Sequence, residues 1–188
     1  MKPIVLFYSF SGRTRRVAEI LARRLGAPAV EIRTREPIRH PYGVGFLNRI
    51  KERTPEIAVE ADLDAFDTFY IGGATWYWTV TPPILTLLRT RSFAGRTVVP
   101  FCTNDAQPGN FLSRFAELCP GADVKPGFQV RRVRRLSDDG IEKAIEAALG
   151  MPAALPDAGP TAGTNPRSPR EGSRPEEAPA EDGRRDLQ

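Results

Sequence analysis

The chain has 188 residues, of which 40% are hydrophobic, and a formal net charge of +4; this suits one domain with a sizeable core plus an appendage. Two cysteines outside any CxxC pair (Cys102 and Cys119), one histidine and scattered carboxylates exclude a disulfide framework and give no metal-ligand spacing. No apolar stretch approaches the roughly 20 residues that span a bilayer, and Met1-Lys2-Pro3 does not resemble the start of a signal peptide, so the sequence reads as soluble and cytoplasmic, with no membrane partner.

In chain order, Ile4-Val5-Leu6-Phe7-Tyr8 is an apolar, β-prone run with the length of a buried parallel strand. Behind it Val17, Ile20, Leu21 and Leu25 recur at helical spacing, and Gly26 supplies a stop. The turn between them, Ser9-Phe10-Ser11-Gly12-Arg13-Thr14, brings three hydroxyls, a glycine and an arginine to a helix amino terminus. Unpaired N–H groups and the positive end of the helix dipole suit such a terminus to an anion. Ser9, Ser11 and Thr14 add hydroxyl donors, and Gly12 lets the backbone come close to a phosphate. The same residues also suit plain helix caps, and the hexapeptide alone leaves both readings open.

Pro28–Ile32 reads as a short second strand. From Thr34 to Leu63 the pattern loosens: Phe46, Leu47 and Ile50 give one face of a short helix, with prolines around it, and His40 and Tyr42 receive no role. A third strand, Asp67–Ile71, ends in Gly72-Gly73, and the loop Ala74-Thr75-Trp76-Tyr77-Trp78-Thr79 follows. Thr81, Pro82 and Pro83 then open a helix with Ile84, Leu85, Leu87 and Leu88 as its buried side. A fourth strand, Thr97–Cys102, leads through Thr103-Asn104-Asp105-Ala106-Gln107-Pro108-Gly109 into a helix carrying Phe111, Leu112, Phe115 and Leu118. A fifth strand falls within Ala122–Val130, and Ser137 opens a last helix that Gly150 stops. Strands alternating with helices predict right-handed βαβ units and one doubly wound parallel sheet.

Residues 151–188 hold seven of the eighteen prolines and no aromatic residue, and they are expected to form a disordered tail after a domain of residues 1–150. Residues 150–188 carry five arginines against seven Asp or Glu, which leaves +6 on residues 1–149. Most of that charge reads as solvated helix surface. The run Arg131-Arg132-Val133-Arg134-Arg135 lacks the interleaved aromatics of a base-stacking platform, so no nucleic-acid partner is expected.

Ligands of an open parallel α/β sheet bind at the carboxyl ends of its strands. Three loops reach that edge: 9–14, suited to a phosphate; 74–80, crowded with aromatics; and 103–109, small and polar. A phosphate at one end and a flat ring at the other describe a nucleotide-like cofactor. The chain here resembles the flavodoxin family, whose FMN-binding fold has strand order 2-1-3-4-5. Ser9-Phe10-Ser11-Gly12-Arg13-Thr14 matches that family's [ST]-x-[ST]-G-x-[ST] phosphate loop, and Phe69–Tyr77 resembles its second loop, usually Gly-Ser-Pro-x-Trp-Trp-Gly. Pro100-Phe101-Cys102-Thr103 resembles the start of the third.

The resemblance implies FMN as cofactor. Residues 9–14 (Ser9, Phe10, Ser11, Gly12, Arg13 and Thr14) would hold its phosphate, and Ala74, Thr75, Trp76, Tyr77 and Trp78 would flank its ring. Thr103, Asn104, Asp105 and Gly109 would border the ring's pyrimidine side. It further implies electron transfer or a small flavin-dependent reductase, working with a redox partner protein or a nicotinamide cofactor. Ala74 departs from the family's proline and Trp78 from its glycine, where positive φ becomes costly. The competing reading is a non-redox module that holds another phosphorylated ligand on the same fold. A P-loop is absent, and no Cys is followed six residues later by Arg, as a low-molecular-weight phosphatase requires. Tyr8-Ser9-Phe10 stands where a receiver domain needs an acidic pair.

Overall fold

The first apolar run forms strand β1 (Pro3–Phe7) in the computed structural model, which describes residues 1–38 and 54–151. Helix α1 (Arg13–Leu25) follows, ended by Gly26 at φ 60°, whose N–H reaches back to the carbonyls of Ala22 and Arg23. Next come β2 (Ala29–Glu31), β3 (Arg33–Thr34), β4 (Ile57–Ala58), a 3-10 turn at Leu63–Ala65, and β5 (Thr68–Ala74). Helix α2 (Pro82–Thr90), β6 (Thr97–Asn104), α3 (Arg114–Leu118), β7 (Asp123–Val124), β8 (Phe128–Arg131), a 3-10 turn at Val133–Arg135 and α4 (Asp138–Leu149) complete the described chain.

The main sheet is parallel, in the order β2-β1-β5-β6-β7, with β8 also paired to β6. Taken as main-sheet positions this is the expected 2-1-3-4-5 order. The fifth position is shared: β7 pairs with Thr97 and Val98, and β8 with Phe101–Asn104. Pairing lapses at Lys125-Pro126-Gly127, where the register slips by one residue between Val98↔Val124 and Phe101↔Phe128 and where neither Pro100 nor Pro126 has an N–H for the ladder. The antiparallel pair β3–β4, with Arg33 opposite Ala58, was not anticipated. The expected helix around residues 46–50, with His40 and Tyr42, and the tail beyond residue 151 lie outside the described residues.

Side chains alternate across each strand, so β1 feeds two cores. Ile4 and Leu6 join Phe69, Ile71, Ile84, Leu87, Phe111 and Phe115 on the face covered by α2 and α3. Val5 and Phe7 join Val17, Leu21, Phe101, Ile141 and Ile145 under α1 and α4. Each such side chain contributes about 1.5–3 kcal/mol when fully buried, so both faces hold the central strands rigid. Gly72 in β5 is needed for this packing, because a Cβ there would enter the Phe101 ring. The outcome that matters for function is placement. The loops after β1, β5 and β6 emerge side by side at the carboxyl edge.

Candidate functional site

At the first loop, Gly12 is the N-cap of α1 at φ 81°, a left-handed conformation that glycine adopts without strain, and no side chain caps from that position. Ser9 instead reaches into the first turn, its Oγ accepting from the Arg15 N–H at 3.1 Å. The capping reading therefore holds for Ser9 and not for its neighbours. Helix geometry gives the Arg13 and Thr14 N–H groups no intrahelical acceptor, and among the described residues nothing else takes them. Ser11 is exposed, and Thr14 is only 2% exposed. The Thr14 hydroxyl meets that of Thr103, at the end of β6, at 2.9 Å.

The second loop begins where β5 ends. The Thr75 N–H donates to the Thr103 carbonyl at 3.0 Å, which fastens the loop to the third. Trp76 and Thr79 then exchange backbone hydrogen bonds of 3.3 and 3.0 Å around a two-residue turn. Tyr77 at φ 50° and Trp78 at φ 61° both occupy the left-handed region. Positive φ at both central residues is the type I′ hairpin, which ordinarily wants Asn-Gly. With two bulky aromatics it carries about 1–2 kcal/mol of strain per residue.

The three aromatics diverge. Trp76 is only 2% exposed and is held edge-on by Tyr8 and Phe10, each ring centroid 5.9 Å away. Trp78 is 67% exposed and Phe10 46%. Burial, reinforced by the Glu31 carboxylate, pushes the Tyr8 phenol up to about 12, so it stays neutral.

In the third loop, Asp105 pairs with Arg13 of the first at 3.5 Å. Asn104 Nδ2 donates to Gln129 Oε1 at 3.1 Å and leaves its own Oδ1 buried without a partner among the described residues. The Thr75 hydroxyl is likewise buried. It turns toward the Cys102 thiol in a sulfur contact too loose to satisfy it, while burial pushes that thiol's pKa up. Gly109, at φ 57°, presses against the Trp78 backbone, and the Asn110 N–H donates to the Trp78 carbonyl at 2.8 Å.

These loops enclose an open cleft of about 530 Å³, inside the range of small-molecule and cofactor sites. Phe10, Ser11, Arg13 and Thr14 line it from the first loop; Ala74, Thr75, Trp76, Tyr77 and Trp78 from the second; Thr103, Asn104 and Asp105 from the third. Ser9, Gly12 and Gly109 shape these loops without lining the cleft. Ala106, Gln107 and Val133 line it as well. Val133 was missed by the sequence reading, although an apolar residue amid four arginines just past a strand end is a signal of inward packing.

No group of His, Cys, Asp and Glu among the described residues could hold a metal. Nor is any lining carboxylate free to serve as a base, since Asp105 is engaged by Arg13. The walls are built to bind and orient a ligand. One end offers a helix terminus with free N–H groups; the other offers aromatic faces and buried polar atoms that lack partners. Among the described residues no helix is long and apolar enough to cross a membrane.

The fold recurs in solved structures. A flavoprotein candidate from Bacteroides uniformis aligns at 22% identity with a TM-score of 0.65, over 77% of this chain and 97% of that one. A flavoprotein from Lactobacillus acidophilus, solved in complex with FMN, aligns at 24% identity and TM-score 0.58, over 68% and 92%. Flavodoxin 2 from Bacillus cereus gives 17% and 0.50, over 79% and 96%. These identities speak for the fold alone. No curated protein matches the sequence. The flavodoxin family model, however, matches residues 2–147, across all three cleft loops and nearly all of the described chain. With the parallel 2-1-3-4-5 sheet and its three loops gathered at one edge, that match makes the chain a member of the flavodoxin family.

Proposed function

We propose that the cleft binds FMN and that the protein is a flavin-dependent redox protein, either an electron carrier or a small reductase. The observation that carries the reading is the pairing of a helix terminus having free N–H groups, at Arg13 and Thr14, with an aromatic-walled slot. A phosphate monoester suits the first, and a flat heterocycle suits the second.

The residues fit such a ligand in detail. Ser11 and the backbone after Gly12 would hold the phosphate. Phe10, Tyr77 and Trp78 offer ring faces, and Trp76, which lines the cleft but is almost fully buried, meets Tyr8 and Phe10 edge-on. Thr75 Oγ1 and Asn104 Oδ1 are buried polar atoms without a partner among the described residues, on residues that line the cleft, and could meet a heterocycle's polar edge. Leaving such atoms buried and unpaired costs about 1–3 kcal/mol each, so a ligand that pairs with them gains affinity. Bound flavin supplies the redox chemistry; the chain binds it, orients it and limits its contact with water. The Lactobacillus acidophilus relative solved with FMN supports the same reading.

The test is the chromophore itself. Full-length protein, purified without added cofactor and then supplied with flavin, is expected to be yellow. Heat should release FMN at one equivalent per chain. A colourless protein that takes up no flavin, yet binds another phosphorylated compound, would establish the non-redox module instead.

A further inference from the structure

The turn after the last sheet strand carries four exposed arginines: Arg131, Arg132, Arg134 and Arg135. Arg131 ends β8 opposite Asn104, and the Arg132 N–H donates to the Asn104 carbonyl at 2.8 Å. The run therefore starts at the third loop of the cleft. The chain then turns at Arg132, φ 52°, and buries Val133 against the cleft. The Arg16 guanidinium donates to the Val133 and Leu136 carbonyls at 3.5 and 2.9 Å, which fixes the turn over the first turn of α1.

None of these four arginines forms an ion pair with a described residue. Arg15, Arg24, Arg33 and Arg35, by contrast, each meet a glutamate. Two carboxylates close to the rim are engaged, Asp105 by Arg13 and Asp138 by Arg16, while Asp139 at the start of α4 forms no ion pair with a described residue. Arg89 and Arg91 also lack an ion pair among the described residues, but they lie at the carboxyl end of α2, at the opposite edge of the sheet. The same rim holds Phe10 and Trp78; apart from Met1, no other large hydrophobic residue among the described ones is exposed.

We infer that this rim is a docking surface for an acidic protein, which sets carboxylates against the Arg131–Arg135 turn and an apolar group against Phe10 and Trp78. The inference rests on the flavin reading, since it makes the docked protein the redox partner. Tryptophan and arginine are both enriched at interface centres, and like charges that no described carboxylate pairs steer an opposite partner. A protein fits better than a small polyphosphate because the arginines flank the cleft without lining it, and so enclose no phosphate. It fits better than a nucleic acid because no aromatic interleaves the run.

Full-length protein, with and without FMN, is titrated with three probes: an acidic [2Fe–2S] ferredoxin, basic cytochrome c and a single-stranded oligonucleotide. The ferredoxin is expected to bind best at low salt, with or without FMN, and to weaken as salt rises to about 0.5 M, where the Debye length is only a few ångströms. Changing Arg131, Arg132, Arg134 and Arg135 together to Glu should slow association by about 10- to 100-fold, and changing them to Gln should slow it less. The control Arg89→Glu/Arg91→Glu, with the same sign of charge change at the remote edge, should leave association near wild type. Equal binding of cytochrome c, salt-insensitive ferredoxin binding, no ferredoxin binding, an equal effect of the control, or tighter binding of the oligonucleotide would each overturn the proposal. Ferredoxin docking by a protein that takes up no FMN would keep the surface and discard the flavin reading alone.

Discussion

The hydroxyls of Thr14 and Thr103 meet at 2.9 Å across 89 residues of sequence, and they tie the first turn of α1 to the end of β6 inside a buried wall of the cleft. Removing one hydroxyl leaves the other buried without its partner, a loss of about 1–3 kcal/mol, whereas removing both is nearly neutral. Thr14→Val and Thr103→Val should therefore each lower stability to urea, and the double variant should lose clearly less than the sum. Strictly additive losses in a double-mutant cycle would show that the contact contributes nothing.

The turn at Tyr77 and Trp78 stores strain at the mouth of the cleft. Glycine at position 78 removes the penalty of a positive φ and loses little packing, because the indole is largely exposed. Trp78→Gly is expected to hold or raise the melting temperature while it weakens flavin by removing a ring contact. A marked fall in melting temperature would place Trp78 among the packing residues.

Gly109 has the opposite character. It needs both its positive φ and the absence of a Cβ, which would run into the Trp78 carbonyl and side chain. Gly109→Ala should push the second and third loops apart and weaken flavin at least tenfold, about 1.4 kcal/mol, with a smaller effect on global stability. Unchanged flavin affinity would mean that the two loops do not depend on this contact.

The acid limb of stability should depend on Asp67. Hydrogen bonds from the Thr68 hydroxyl and then the Lys2 N–H hold its carboxyl below the usual range. A depressed native pKa adds stability above the unfolded value of about 3.9, and that stability disappears as pH falls through the native value. Asp67→Asn should thus be less stable than wild type at neutral pH and converge with it in acid. Parallel stability curves across the whole range would remove Asp67 from the acid response.

What was legible in the sequence follows from how strongly each residue is constrained. Alternating strand and helix patterns, with Gly26 and Gly150 as stops, pointed to one parallel sheet with loops 9–14, 74–80 and 103–109 at its carboxyl edge, while the order 2-1-3-4-5 came from the family resemblance. Two-residue strands such as β3 and β4 are too short to show a period. The break between β7 and β8 coincides with a one-residue slip against Pro100 of β6, a relationship visible only after register is known. Trp76, Tyr77 and Trp78 look alike in sequence, yet one is core, one half-buried and one exposed. That division is set by the left-handed turn, which aromatic side chains do not announce.

Titrating flavin-free full-length protein with FMN, riboflavin and FAD, followed by quenching of flavin fluorescence, tests the central claim most directly. FMN should bind at one equivalent and far more tightly than riboflavin, because hydrogen bonds to a charged phosphate are worth roughly 1.5–3 kcal/mol each. FAD should also be weaker, since its phosphate is a diester. Equal affinity for FMN and riboflavin would remove residues 9–14 from the site, and no binding of any flavin would contradict the account as a whole.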